Sequence, residues 1–359
     1  RTPMYYTRSI NDPSYAGRII GKSGKFSYHW LTANDRNTIF IIPGSEESDT
    51  VPTSIDSFVN IGAFRYDLGN EAQVTAMIMT RNFEGGHNYL VGLNWNYKFW
   101  KNWFFQGEGF LTHTKELNDP DTFVSSRILG DTEYDAGLNG EEYWGQGIHL
   151  VLNHAGRNLS LVAVYNDFSP TYQTYNGFFT QTDIKQWYLS SAYTVFLTKS
   201  FIDKIVVSLS GASVHNHQGQ MKNQDLNGEI TVQFKGQSRL TIHHNLLNRE
   251  HFRSFLFEDY HYSTVRFSTR PYKFLSFHLY SRFGKFIYRD TIPKIGKGHN
   301  WDMLIKLQLS TKAELSFSYT KAYLEDLVSR DAYYDGYIWR AMGKYQFNSK
   351  ILLRAIVDY

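Results

Sequence analysis

The side chains able to do chemistry are histidines, carboxylates and serines, because the chain has no cysteine. Without thiolates, neither a disulfide framework nor a Cys-based metal centre can form. Among the 13 histidines, His215 and His217 share a face if the chain there is extended. His243 and His244 are adjacent, and neighbouring residues on a strand point to opposite faces, so that pair cannot chelate one ion. His261 and His278 fall on polar faces of alternating runs. No carboxylate stands at ligand spacing beside any of these. They read as polar filling, and no metal and no cofactor is expected. The stretch Lys115 to Glu142 carries Asn118, Asp119, Asp121, Asp131, Glu133 and Asp135, an oxygen-rich set of the kind calcium favours. It lacks the twelve-residue loop with its Gly and terminal Glu, so it reads as a solvated loop. Ser210, His243 and Glu229 supply the residue types of a hydrolase. No Gly-x-Ser-x-Gly elbow marks any serine, and no enzyme activity is expected.

Two other sets suit binding or passage. Arg18, Lys22, Lys98, Glu108, Glu229, Asp302, Lys306, Arg340, Lys344, Arg354 and Asp358 all sit at polar positions of alternating runs. They are the candidates to line a lumen. Both signs are present, so strong ion selectivity is not implied, and the same charges also suit a solvated wall of paired side chains. Between Pro170 and Asp183, the aromatics Tyr172, Tyr175, Phe178 and Phe179 alternate with Asn, Gln and Thr. They are the candidates for a contact surface able to stack on sugar rings or pack on a partner. The alternative is that this loop folds inward and packs on itself.

The elements that must position these groups are strands. In WDMLIKLQLS, Trp301, Met303, Ile305, Leu307 and Leu309 alternate with Asp302, Lys306, Gln308 and Ser310, broken only by Leu304. A period of two means an extended strand with one apolar and one polar face, and about ten residues is the length a tilted strand needs to cross a bilayer. Tyr89 to Phe99, Glu229 to Phe234, Leu315 to Thr320 and Ile351 to Tyr359 repeat the design. Short turns alternate with longer polar connections along the chain. The short ones fall at Ser23-Gly24, Gly69-Asn70, Lys101-Asn102, Gly156-Arg157, Lys199 to Asp203, Lys235-Gly236, Pro271-Tyr272, Thr311-Lys312 and Asn348-Ser349. The alternation predicts nine hairpins, about 18 strands, of an all-β, transmembrane, antiparallel up-and-down barrel with short periplasmic turns and longer outer loops. A propeller has a similar 40-residue period but packs four short strands into it.

Composition points the same way. Aromatics make up 17% of the 359 residues, and Tyr and Trp favour membrane interfaces. Mean hydropathy is −0.42, too polar for a helical membrane protein. A barrel resolves the tension because only alternate residues face lipid. Net charge is +3 with no basic cluster, so nucleic acid is not an expected partner.

Four segments carry a resemblance: Tyr5 to Arg36, Asn60 to Arg81, His87 to Gly109 and Tyr345 to Tyr359. Their shared features are Tyr6 through Gly24, with Ile20 where a Thr is common, Arg65 to Gly69, and Leu353 to Tyr359. The chain resembles the barrel region of a bacterial outer-membrane family of unknown function that usually follows a domain like the family-nine carbohydrate-binding module. The resemblance implies residence in a Gram-negative outer membrane, amid lipopolysaccharide. It implies nutrient uptake or capture, with an oligosaccharide-like ligand. The rival reading is a non-conducting structural, assembly or secretion component that docks other outer-membrane proteins. Against that family the N-terminal carbohydrate-binding-like domain, the first strands and the closing strands are absent here. The expectation is therefore a larger barrel, with missing strands cleaved, disordered or supplied by another chain.

Overall fold

The computed structural model describes residues 9–46 and 48–359. Among the described residues no helix is long and apolar enough to cross a membrane. The strands are β1 (Pro13–Ser23), β2 (Phe26–Asp35), β3 (Ile39–Ile42), β4 (Asp49–Pro52), β5 (Ser57–Gly69), β6 (Ala72–Phe83) and β7 (Gly86–Phe99). They continue with β8 (Trp103–Lys115), β9 (Glu142–Ala155), β10 (Leu159–Phe168), β11 (Ile184–Phe196), β12 (Ile202–His215), β13 (Met221–Phe234) and β14 (Ser238–Phe252). The last are β15 (Phe255–Glu258), β16 (Tyr262–Tyr272), β17 (Leu275–Tyr288), β18 (Lys294–Gln308), β19 (Ala313–Asp326), β20 (Ala332–Gln346) and β21 (Leu352–Asp358). Nineteen belong to one sheet and β3 and β4 form a separate ribbon. The four-residue β15 pairs antiparallel with the end of β14, beyond the stretch that pairs with β16, so among the described residues the long strands number 18, as the sequence pattern predicts. The turn expected at Pro271-Tyr272 lies two residues later, because both residues still belong to β16. Asn70 and Glu71 both take positive φ, 51° and 62°, the backbone of the tight hairpin turns that match strand twist.

Contacts divide the chain into two units. The first holds the described residues up to Ala155 with Leu161–Leu189 and Ser213–Lys222. In it β1, β2, β5, β6, β7, β8 and β9 pair antiparallel in that order. One face is bare and apolar: Phe58, Phe64, Tyr66, Tyr89, Val91, Leu93 and Tyr97 are exposed. The other face is covered. Its Val59, Ile61, Met79, Leu90 and Phe110 pack with Phe168, Tyr172, Phe179 and Ile184. A second core joins Phe40, Ile42 and Val51 of the β3–β4 ribbon to Phe83, Leu117, Leu129, Ala136, Leu138, Tyr143 and Tyr175. Three connections thus fold against one face of the strands. The Lys115 to Glu142 loop is among them, which corrects its reading as a solvated loop. Its Leu117, Leu129 and Leu138 are buried, since apolar side chains leave water when a packed surface is available.

The second unit comprises Gly156–Ser160, Ser190–Ala212 and Asn223–Tyr359. Here β13, β14, β16, β17, β18, β19, β20 and β21 pair antiparallel in that order. Trp301, Ile305, Phe317, Trp339 and Val357 are exposed on its apolar face. Every residue of β21 is exposed. In the first unit, β1 is exposed at all but one of its residues.

Candidate functional site

Cross-strand register brings every lumen candidate to one face of its unit, opposite the bare apolar one. In the first unit Arg18 faces Leu31 and Lys22 faces Ser27. The second row continues through Arg65, Thr75 and Asn94 to Glu108. Asn94 Nδ2 donates to Glu108 Oε1 at 2.6 Å, and Lys98 pairs with Glu71. In the second unit Glu229 faces His243, which faces Thr264, then Arg282, then Asn300. Glu229 lies 3.6 Å from Arg266. Asp302 accepts a hydrogen bond from Thr320 at 2.9 Å. Lys306 lines a cavity of about 320 Å³ with His278, Arg270 and Glu314. Arg340 donates to both oxygens of Asp358, at 2.6 and 2.9 Å, while Lys344 stands between Glu314 and Arg354.

The aromatic loop does not sit as a contact surface. Tyr172, Tyr175 and Phe179 are buried, and of the four candidates only Phe178 is exposed. The loop packs against β9 at Gly145 and Gly147. A Cβ on Gly145 would lie 2.5 Å from the Thr171 carbonyl oxygen, and one on Gly147 would lie 2.6 Å from the Phe168 ring. Polar side chains on the strands then hold the loop's backbone. Asn88 donates to the Gln173 carbonyl at 3.2 Å and accepts from the Tyr175 amide at 3.0 Å. Arg81, wholly buried, donates through Nε to Asn176 Oδ1 at 3.1 Å and through Nη1 to Asp35 at 3.2 Å and Ser57 at 3.1 Å. Phe40 meets the Tyr175 ring edge-on at 5.0 Å.

Titratable groups in these connections bear the mark of packing. Burial pushes the Glu116 carboxyl up to about 8, against a hydrogen bond from Tyr143 OH that lowers it. Burial likewise raises the Tyr172 and Tyr175 phenols. His217 is gripped on both ring nitrogens, Nδ1 at 3.0 Å from Asp183 and Nε2 at 2.8 Å from Asp167. The Asp183 hydrogen bond leads in raising the imidazole. For Asp183, burial alone would raise the carboxyl, but the combined hydrogen bonds and charge of His217 bring it below the usual value. The carboxylates of the Lys115 to Glu142 loop serve its turns: Asp119 accepts from Thr122, and Asp135 from the Gly137 amide.

His243 and His244 part as their adjacency requires: His243 faces Glu229, while His244 lies 2.9 Å from Ser263 Oγ. His243 Nδ1 is buried without a hydrogen-bond partner, and its ring lies 5.8 Å from that of Tyr262.

The site best built to receive a solute lies on the polar face of the second unit. A cavity of about 480 Å³ is lined by Asn223, Asp225, Asn227, Asn245, Asn248, Glu250, Tyr260, Tyr262, Arg282, Phe286, Arg289 and Asn300, among others. Arg282 lies over the Tyr262 ring at 4.1 Å and the Phe286 ring at 4.6 Å. Among the described residues no carboxylate pairs with its planar guanidinium, which the rings hold. Glu250 is committed to Arg289 at 2.7 Å and accepts from Tyr260 OH at 3.0 Å. Burial, with the Glu250 charge, raises the Tyr260 phenol. Asn245 is fully buried and gives Nδ2 to Asn227 Oδ1 at 2.9 Å, but its Oδ1 has no partner. An orphaned acceptor costs about 1–3 kcal/mol, so this wall is poised for a donor from a bound molecule or water. Sequence reading missed these residues. Asn223, Asn245 and Asn300 lie on three strands, and only register assembles them.

No protein-family profile and no curated protein matches the chain. Two solved structures of the FrpB iron transporter from Neisseria meningitidis, its F5-1 and F3-3 variants, superpose with TM-scores of 0.50 at 10% identity. The matches cover 92% and 93% of this chain and 65% of each of those chains. The fold is therefore that of the antiparallel up-and-down outer-membrane β-barrels. The chain spans less than two thirds of the length of these two neighbours.

Proposed function

We propose that this chain is the barrel of a Gram-negative outer-membrane protein that takes up or captures a polar, oligosaccharide-like solute. The observation that carries the reading is the cavity on the polar face of the second unit. Amides that both donate and accept suit sugar hydroxyls, Tyr262 and Phe286 offer rings, and Asn245 holds an unmet acceptor. The apolar opposite faces, with exposed Tyr and Trp on long alternating strands, support lipid as the surrounding solvent. The resemblance to a family linked to carbohydrate-binding-like domains supports the same ligand class.

Calorimetry of the purified chain with maltotriose, xylotriose and N-acetylchitotriose tests it. Binding of at least one, weakened tenfold or more by Asn245→Leu, is the expected result. No binding of any of the three, together with no conductance in planar bilayers, would overturn it. A second reading, a non-conducting barrel that docks other outer-membrane proteins, draws on the three connections packed against one face of the first unit. It requires silent bilayers and a stable co-purifying protein.

A further inference from the structure

We propose that His87, His113 and Glu142 form a site for one divalent transition-metal ion of the zinc or copper type. Their nearest ligand atoms all lie within 4.8 Å of one another. His87 Nε2 is 3.2 Å from His113 Nδ1, and His113 Nε2 is 3.2 Å from Glu142 Oε1. With metal–ligand bonds of about 2.0–2.1 Å, tetrahedral ligands stand about 3.3 Å apart. The two gaps run to different nitrogens of His113, so one of them serves: with ligation through Nδ1 the His87 gap is already at that separation, and the half-exposed Glu142 side chain closes in by a rotamer step. Two imidazoles and a carboxylate leave a fourth position for water, and such a set favours Cu²⁺, Zn²⁺ and Ni²⁺ over Mg²⁺ or Ca²⁺.

Three features set this cluster apart from the other histidines. First, the ladder builds it. Tyr89 faces His113, which faces Trp144, and Lys115 lies between His87 and Glu142. Second, the rings are fixed before any ion arrives. His87 stacks on Tyr89 at 4.3 Å and His113 on Trp144 at 4.4 Å, and Tyr89 OH is anchored on Asn82 at 2.7 Å. Third, the cluster lies at the rim of the bare face, where the strands end and the Glu142 side chain is 48% exposed. Its alternate neighbours Asn88, Thr114 and Tyr143 are buried on the loop-covered face, so His87, His113 and Glu142 emerge on the other. All three sit at the strand ends that border the Lys115 to Glu142 loop and the turn before β7. A bound ion would tie the two roots of that loop together. Lys115, between His87 and Glu142, is adverse, a cation that the ion must displace.

Calorimetry with Zn²⁺ on the full chain in detergent is the test, with folding of each variant checked by circular dichroism. The expected result is one site, with affinity reduced at least tenfold by His87→Ala and by His113→Ala. Lys115→Gln is expected to tighten it several-fold. His299→Ala removes a histidine that stacks on Tyr323 at 5.3 Å and should leave binding unchanged. Cu²⁺ electron paramagnetic resonance on the unaltered chain provides a second reading that does not depend on how the alanine variants fold. Nitrogen splitting from two imidazoles supports the site. An all-oxygen spectrum, no Zn²⁺ binding, or binding that survives both histidine variants overturns it.

Discussion

Arg81→Met should release the 169–183 connection while leaving the strands paired. Arg81 is fully buried and its guanidinium reaches Asp35, Ser57, Asn176 and the Ser9 carbonyl. Methionine fills much of the volume but supplies no donor. Asp35 would keep the Asn11 and Asp12 amides, at 3.1 and 2.7 Å, and lose the one cation paired with it among the described residues. Removing one partner of a buried ion pair costs about 3–5 kcal/mol, because the other charge is left uncompensated. At about 1.4 kcal/mol per decade, opening of the loop should become roughly 10²- to 10⁴-fold more frequent. Hydrogen exchange read by mass spectrometry reports this directly. The Tyr172 and Gly177 amides bond to Ser169 and Thr174 carbonyls within the loop, so they exchange when it lifts. A rise of less than tenfold would refute the reasoning. So would a failure of Asp35→Asn to recover part of the loss in the double variant, since that change removes the stranded charge.

Glu116 gives a pH dependence of definite sign. Its packed carboxyl holds a proton up to about 8 while a released one ionises near its ordinary value. Packing is therefore strongest below about pH 4.5, weakens as pH rises from there to about 8, and is level beyond. A shift of that size corresponds to roughly 5 kcal/mol, and Glu116→Gln should flatten the exchange-versus-pH curve of the 117–138 amides; an unchanged slope sinks the assignment. The His217 clamp should behave differently. The raised imidazole contributes fully below about pH 6.5 and fades above its packed value, while lowered Asp183 contributes above about pH 4 and fails in acid. His217→Gln should remove the slope on the alkaline side, read from exchange of the 213–222 amides. Gly145→Ala should displace the loop outright, because its Cβ would meet backbone at Thr171 and Tyr172. Limited proteolysis between 169 and 183 should then proceed at least tenfold faster, and equal rates would show the contact to be slack.

Strand number, turn positions and the two faces were legible because alternation is local. WDMLIKLQLS shows which side chains share a face, and register in β18 agrees: Asp302 faces Tyr280 and Thr320, and Met303 faces Leu279 and Tyr319. The fate of the long connections was not legible. Tyr172 and Tyr175 look alike in sequence whether they wait for a sugar or a strand, and the deciding partners, Asn88 and Arg81, lie 87 and 95 residues away. The His87, His113 and Glu142 cluster was hidden for the same reason. Spacings of 26 and 29 residues match no metal motif and become contacts only across three strands.

The long reach between Arg81 and Asn176 bears on the order in which the chain can fold. Closing a 95-residue loop in one step costs about 1 kcal/mol more than closing a 27-residue one, by the logarithmic dependence of closure entropy on length. The bond from Thr171 to the Trp144 carbonyl is a loop of that shorter length, and once β6 to β9 are paired it brings Asn176 to Arg81 almost without further search. Strands first and filling second is thus the cheaper route. Until the filling arrives, Arg81 holds Asp35 and Ser57 on neighbouring strands but lacks Asn176, and the strands must pair around a guanidinium not yet fully satisfied.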